Sequence, residues 1–180
     1  MAGRMPRVPE EVGEMLVIGI DPSLTGTGLV AWRDGKTIIA KTLKNHPNWD
    51  IIPRVLSIVE EITTEIGNIC DDVGWYLPPN MIVIEGFSYG SRGRGLFETA
   101  YLGYRIREEL EKFKNEIGVP WMEVSPNELK KFVTGKGNAT KDIIMQQVLK
   151  KWGYEAKDNN VADAYALAMM GVKSLIEGGK

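Results

Sequence analysis

The chain has 180 residues, of which 43% are hydrophobic, enough to build the core of one compact domain. A formal net charge of −2 excludes a general attraction for nucleic acid, so any DNA contact must come from a local basic cluster. The single cysteine, Cys70, excludes an intrachain disulfide and has no neighbouring ligands that would indicate structural zinc.

The N-terminal residues predict a loose arm in front of the folded domain. Residues 1–14 are polar with scattered proline and glycine, so we expect a flexible arm followed by a single domain at 15–180. The arm lacks the apolar stretch of a signal peptide, and no later segment reaches the apolar length of a membrane span. We therefore expect a soluble protein of the cytoplasm.

The first folded segment predicts an antiparallel meander of three strands. Residues 15–20 are apolar and β-branched, as in a buried strand, and Pro22 follows them. Residues 27–33 and 36–43 flank Asp34-Gly35, a strong hairpin signal.

Helices alternate with two further strands in the rest of the chain. Apolar residues recur at helical spacing over 51–69, and residues 81–84 predict a second buried strand. The other predicted elements are a helix at 96–116, a strand at 119–124, a helix from Ser125-Pro126, a turn at 134–137 and helices at 140–152 and 161–176. This order indicates an α/β fold in which helices cover a mixed sheet.

Acidic residues mark the ends of the two buried strands. Asp21 follows the first of them, Glu85 follows the second, and Asp163 is predicted in the first turn of the last helix. Ligands in open α/β sheets collect at such strand ends. Asp158 and Asn160 place further oxygen atoms nearby, and an oxygen-only cluster suits Mg²⁺ or Mn²⁺.

Each of these residues also has a structural interpretation. An aspartate before proline is common in turns, Glu85 can cap the following loop, and Asn160 with Asp163 has the spacing of a capping box. Turn chemistry does not require acids at two buried strand ends together with a third on a helix. The set as a whole therefore favours a metal site.

The motifs around the acids resemble those of the RuvC-type Holliday junction resolvases. The resemblance runs in the correct order from about residue 15 to residue 176, and Lys130 and Lys141 look like the two functional lysines of that family. The three acidic motifs are Gly19–Gly28, Ile84–Phe87 and Ala162–Ala168.

This resemblance implies a fold and an activity. The fold would be RNase H-like, a mixed five-stranded sheet with strands 1–3 antiparallel, strands 4–5 parallel and helices on both faces. The activity would be magnesium-dependent cleavage of four-way DNA junctions that leaves 5′-phosphates. A bacterial or a bacteriophage origin is consistent with it.

The resemblance also assigns roles to the site residues. Two Mg²⁺ ions, replaceable by Mn²⁺, would lie among Asp21, Glu85, Asp163 and Asn160, with roughly 4 Å between them. Lys141 would stabilise charge on the scissile phosphate, and Lys130 would be the second catalytic lysine.

Asn160 departs from the family pattern, in which this position usually holds Asp or His. Asparagine still offers a carbonyl oxygen, but it supplies one negative charge fewer for the second ion. Two alternatives follow: an attenuated nuclease, natural or engineered to trap intact DNA, and a junction-binding protein that does not cut.

DNA contacts are predicted from local charge. Residues 127–151 carry six lysines against two acids, and the loop at 90–95 carries two arginines among glycines. A solvated helix face, a flexible connection and a core position for Phe87 are the simpler interpretations. The predicted contacts are Phe87, Tyr89, Arg92, Arg94, Lys130, Lys131, Lys136 and Lys141.

A homodimer is also expected, because two opposed strands of a symmetric junction call for two sites related by a two-fold axis. The helix after the glycine loop carries more apolar and aromatic area than one packed face needs. The residues that carry it are Leu96, Phe97, Ala100, Tyr101, Tyr104 and Ile106.

A different class of protein shares one motif. Residues 21–26 also resemble the first phosphate loop of sugar kinases and actin-like ATPases. Those proteins need two such domains, and a chain of 180 residues has no room for the second.

Overall fold

A single five-stranded sheet organises the protein. The computed structural model describes residues 14–44, 47–72, 78–86 and 94–178. The sheet has the order β3-β2-β1-β4-β5. Its strands are β1 (Leu16–Asp21), β2 (Thr27–Arg33), β3 (Lys36–Leu43), β4 (Met81–Glu85) and β5 (Trp121–Val124).

The strand directions confirm the predicted mixed sheet. β1, β2 and β3 pair antiparallel as a meander, whereas β4 pairs parallel with both β1 and β5. β5 begins at Trp121, two residues later than predicted, because Pro120 has no N–H for the ladder and Gly118 has a left-handed φ of 73°. The carboxyl ends of β1 and β4 therefore lie side by side.

Helices cover both faces of the sheet, as expected. α1 and α2 pack on the face that carries Ile18, Ile20 and Ile84, while α3, α4 and α5 pack on the face that carries Val17 and Val83. The helices are α1 (Ile51–Asp72), α2 (Arg94–Ile117), α3 (Pro126–Thr134), α4 (Lys141–Trp152) and α5 (Asn159–Gly178). None of the helices in the described ranges is long and apolar enough to cross a membrane.

Two details of the helices differ from the predictions. α5 begins at Asn159 rather than Val161, because the Asp158 carboxylate accepts a hydrogen bond from the Val161 N–H at 2.9 Å. Asp163 therefore lies in the second turn of α5. On α2, Ile106 was expected at a subunit contact, but it is buried in the core of its own chain.

α5 lies unusually close to the sheet because two strand residues opposite it are glycines. A Cβ on Gly19 would lie 2.0 Å from the Ala164 carbonyl oxygen, and one on Gly28 would lie 2.1 Å from the Asn160 carbonyl oxygen. The helix backbone thus rests directly on the backbone of β1 and β2. This contact sets the height of every α5 side chain above the strand ends.

Replacing Gly19 with Ala should destabilise the protein by at least about 2 kcal/mol, because the new methyl group must push α5 off the sheet. Chemical denaturation measures this free energy of unfolding. Gly67→Ala is the matched control, because a Cβ at that α1 position meets nothing within 4 Å. The control should be neutral or stabilising by up to about 1 kcal/mol, and equal effects of the two changes would contradict the close contact.

Candidate active site

The sheet register places Asp21 and Glu85 together. Ile20 of β1 is aligned with Ile84 of β4 in the parallel pair, so the next residue of each strand lies at the same sheet edge. Ile20 and Ile84 face α1 and α2, and side chains alternate along a strand, so both acids face α5. The strand period thus aims two carboxylates at the helix that carries Asp163.

Three carboxylates and two lysines line one cavity of about 350 Å³. Asp21 and Asp163 are 6% and 7% exposed, so most of their surface lies inside the protein. Lys130 reaches the cavity from α3 and is partly buried, whereas Lys141 is exposed at the first position of α4. The structure therefore brings together five of the predicted site residues.

Burial and mutual repulsion disfavour the charged forms of these acids. The pKa of Asp21 is raised well above its ordinary value, first by burial and then by the negative charge of Glu85. The pKa of Asp163 is raised to about 7 for the same two reasons, and burial also raises the pKa of Glu85. Lys130 and Lys141 act in the opposite direction on Glu85 and Asp163 but do not cancel the effect.

The arrangement of the carboxyl groups fits a hard cation. Asp21 and Glu85 lie close enough for each to perturb the pKa of the other. Asp163 Oδ1 is buried without a hydrogen-bond partner. In the described part of the chain, no three His, Cys, Asp or Glu side chains already form a coordination group. Loss of the protons that the raised pKa values favour would leave an all-oxygen donor set, which suits Mg²⁺ or Mn²⁺.

The turn after Asp21 is held by polar contacts. The hydroxyl of Thr27 donates to the Ser23 carbonyl oxygen at 3.1 Å and accepts a bond from the Ser23 N–H at 3.2 Å. Arg54 of α1 donates a hydrogen bond to the Leu24 carbonyl oxygen. The turn that follows β1 is therefore held by β2 on one side and by α1 on the other.

An ion pair between Arg107 of α2 and Glu123 of β5, called the Arg107–Glu123 brace below, lies next to Glu85 and was not predicted from the sequence. Glu123 of β5 fills the place where a Cβ of Gly86 would be, with Oε1 2.3 Å from that position. Arg107 of α2 donates to Glu123 Oε2 from Nε at 2.8 Å, and its Nη2 is also 2.8 Å from that oxygen. The Arg107–Glu123 ion pair therefore fixes the backbone just after Glu85, where the chain leaves β4. No sequence signal indicates it, because it depends on the packing of α2 against β5.

Comparison with known proteins supplies the family. No protein-family model matches the chain. A RuvC crossover junction endodeoxyribonuclease from Ruegeria pomeroyi is 30% identical over 159 residues, which are 86% of this chain and 89% of that protein. The chain belongs to the RuvC family. Its relative from Chlorobium phaeovibrioides is 28% identical over 162 residues, 86% of this chain and 79% of that protein.

The solved structures agree on the fold of this RuvC-family chain. Thermus thermophilus RuvC in complex with Holliday junction substrate has a TM-score of 0.67 and 22% sequence identity. The match covers 91% of this chain and 96% of that chain. The RNase H-like fold expected from the motifs is therefore confirmed.

Asn160 and Asp158 lie beside the cavity rather than among the residues that line it. The Asn160 carbonyl oxygen rests on Gly28, and its side-chain nitrogen lies 3.1 Å from the Cβ position of Gly26. Both carboxylate oxygens of Asp158 stabilise the fold. One accepts a hydrogen bond from the Thr42 hydroxyl at 2.6 Å, and the other accepts one from the Val161 N–H at the start of α5. A ligand role for Asn160 stays a prediction.

The predicted DNA contacts have different structural settings. Lys131 and Lys136 are exposed. Lys151, part of the same lysine cluster, donates a hydrogen bond to the Phe132 carbonyl oxygen at 2.8 Å and so joins α4 to α3. Arg94 begins α2, but its side chain is outside the description, and Phe87, Tyr89 and Arg92 lie outside the described residues altogether.

The metal-free protein should lose stability as the pH rises from about 4 to about 7. The folded state keeps a proton on Asp163 up to about pH 7, whereas the unfolded chain releases it near the ordinary pKa of 3.8. The associated stability is fully present below pH 3.8 and is lost as the pH passes 7. Denaturation in EDTA at pH 4 to 8 measures it.

Asp163→Asn is the control for this pH dependence, because it removes that titration and keeps the side-chain shape. Its free energy of unfolding should fall less with pH than that of the wild type. Identical slopes for the two proteins would contradict the raised pKa.

Proposed function

We propose that this chain is a structure-selective DNA endonuclease that resolves four-way junctions by metal-dependent hydrolysis and leaves 5′-phosphates. The observation that carries the proposal is one cavity shared by three carboxylates, of which Asp21 and Asp163 are buried and Glu85 is partly buried, and by two lysines. Its relatives are crossover junction endodeoxyribonucleases, and the Thermus thermophilus protein was solved with a Holliday junction substrate. Residues 15–180 would act as one nuclease domain, since both cores lie on one sheet.

We infer that Asp21, Glu85 and Asp163 hold two magnesium ions, for which manganese can substitute. When bound, the ions supply an activated water and offset the charge at the phosphate. Asn160 would add a neutral oxygen from the first turn of α5. The protein's own contribution is a set of crowded acids whose ionised forms a dication would stabilise.

The two lysines of the cavity would have different roles. Lys141 is exposed at the cavity, where its ammonium group can lie against the scissile phosphate as negative charge develops. Lys130 is partly buried and limits the repulsion among the acids. Lys131 and Lys136 would contact the flanking backbone, and the proposed contacts from Phe87, Tyr89, Arg92 and Arg94 come from the sequence alone.

We further propose a homodimer formed through α1 and α2. Ile52 is 58% exposed and Phe97 is 75% exposed, values that are high for such large apolar side chains. Both line an apolar cavity of about 370 Å³ between the two helices. A second copy would cover this area and add a second active site for the opposed strand.

The wild type should cut a four-way junction with Mg²⁺ or Mn²⁺ and should not cut it in EDTA. Asp163→Asn should lower the single-turnover rate by about a hundredfold or more, because it removes charge from the metal site, while its affinity for the junction in EDTA persists. Equal cutting by wild type and variant would contradict the site.

Light scattering of the wild type should give the mass of two chains. A monomeric mass at micromolar concentration would contradict the dimer.

Asn160→Asp should raise the cleavage rate by about a hundredfold if the neutral amide limits binding of the second ion. The two side chains are nearly the same shape, so folding and junction affinity in EDTA should stay similar. Single-turnover cleavage by both proteins with Mg²⁺ and with Mn²⁺ measures the effect. Equal rates would show that asparagine serves this enzyme as well as aspartate does.

A further inference from the structure

A second cavity, of about 490 Å³, adjoins the catalytic one along α3. Neighbouring residues of the helix divide between the two, since Lys130 lines the catalytic cavity and Lys131 lines the second. The residues of the turn after α3 also divide between the two cavities, since Asn138 lines the second cavity and Thr140 lines the catalytic one. Of the side chains in the second cavity, the proposed function uses only Lys131, as a contact to the DNA backbone.

The polar groups of this second cavity are available to a ligand. Asn127 and Asn138 are exposed, and neither side-chain amide makes a hydrogen bond within the described residues. Lys131 is exposed and forms no ion pair in that part of the chain. Glu128 accepts hydrogen bonds from the Ser125 N–H at 2.9 Å and the Ser125 hydroxyl at 2.6 Å through one oxygen, which leaves the other oxygen able to accept more.

The cavity walls are held in place before any ligand binds. Ser125 and Glu128 form a complete capping box at the start of α3. The turn that carries Asn138 is tied to α3 by Thr134, whose hydroxyl donates to the Lys130 carbonyl oxygen at 2.8 Å and accepts from the Lys136 N–H at 3.1 Å. These contacts hold the backbone on both sides of the cavity, and the asparagine side chains that it carries can distinguish one base edge from another.

We propose that this second cavity binds a nucleobase that carries an exocyclic amino group, adenine or cytosine, beside the scissile phosphate. The inference rests on the proposed nuclease function. A pocket for phosphate alone would not include a carboxylate, because Glu128 would repel it. A carboxylate beside two amides is complementary to an amino edge, since Asn pairs with adenine and Glu accepts from cytosine. Lys131 would hold the adjoining phosphate.

The spacing of the chain matches such a role. Asn138 precedes Lys141 by three residues, so their backbones are separated by at most about 11 Å. DNA advances about 3.4 Å per nucleotide along each strand. The second cavity therefore reaches bases within about three nucleotides of the phosphate that Lys141 would contact, and it would give the enzyme a cleavage sequence preference.

The test uses a library of four-way junctions with every base at the three positions on each side of the crossover. Sequencing of the products after single-turnover cleavage should show that the wild type favours adenine or cytosine at one position. Asn127→Ala and Asn138→Ala should each reduce that preference by roughly tenfold, and Glu128→Gln, which can keep the capping box, should weaken it as well.

Two variants serve as comparisons. Lys131→Ala should slow cleavage of all sequences alike and reduce the salt dependence of binding, as loss of a phosphate contact does. Gln146→Ala removes an exposed amide from α4 outside the cavity and should leave the preference unchanged. Thermal melting of all variants checks that they fold.

The inference is overturned if the wild type cuts all sequences equally, if it prefers only guanine or thymine, or if the two asparagine variants keep its preference. Absence of cutting by the wild type contradicts the proposed function instead. In that case, the affinity for each junction of the same library, measured in EDTA, tests the base-binding site, because base binding there needs no metal. Equal affinity for all sequences would overturn it.

Discussion

The architecture depends on the direct contact between α5 and the backbone of β1 and β2. At the two glycines of the contact, Gly19 and Gly28, no strand side chain separates the helix from the sheet. An ordinary residue at either place would lift the helix, and with it Asp163. Because Asp21 ends the strand that contains Gly19, this one packing distance also sets how closely the first and third carboxylates approach each other.

That close approach has an electrostatic cost. Burial raises the pKa values of all three acids, and neighbouring negative charge adds to this rise for Asp21 and Asp163, so the folded protein resists their ionisation. Lys130 and Lys141 offset only part of this repulsion. Active sites commonly carry such unfavourable charge, and the rest of the fold must stabilise it. Here the glycine contact and the two apolar cores supply that stability.

The two faces of the sheet support different tasks in the proposed function. The α1–α2 face leaves large apolar side chains exposed, which suits a second copy of the chain. The α3–α4 side carries the exposed lysines and the two adjoining cavities. The edge where β1 and β4 end lies between them, and the Arg107–Glu123 brace joins α2 to β5 below it.

Local sequence patterns were enough to predict the sheet, the helices and the positions of the main acids. Alternating apolar residues define the strands, Asp34-Gly35 defines the hairpin, and the strand period then fixes where Asp21 and Glu85 stand. These features are local, so a short stretch of sequence contains the physics that produces them.

Which neighbouring polar residues stabilise the fold is set by contacts between segments that are distant in the sequence. Asp158 is committed to Thr42, which lies 116 residues away, and Lys151 is committed to the Phe132 carbonyl oxygen. The second cavity likewise exists only because α3 and the turn that follows it place Asn127 and Asn138 on one surface. Residue type gives the same donors and acceptors in every case. Whether they are satisfied by the protein or left for a ligand depends on contacts between distant segments, which no local pattern records.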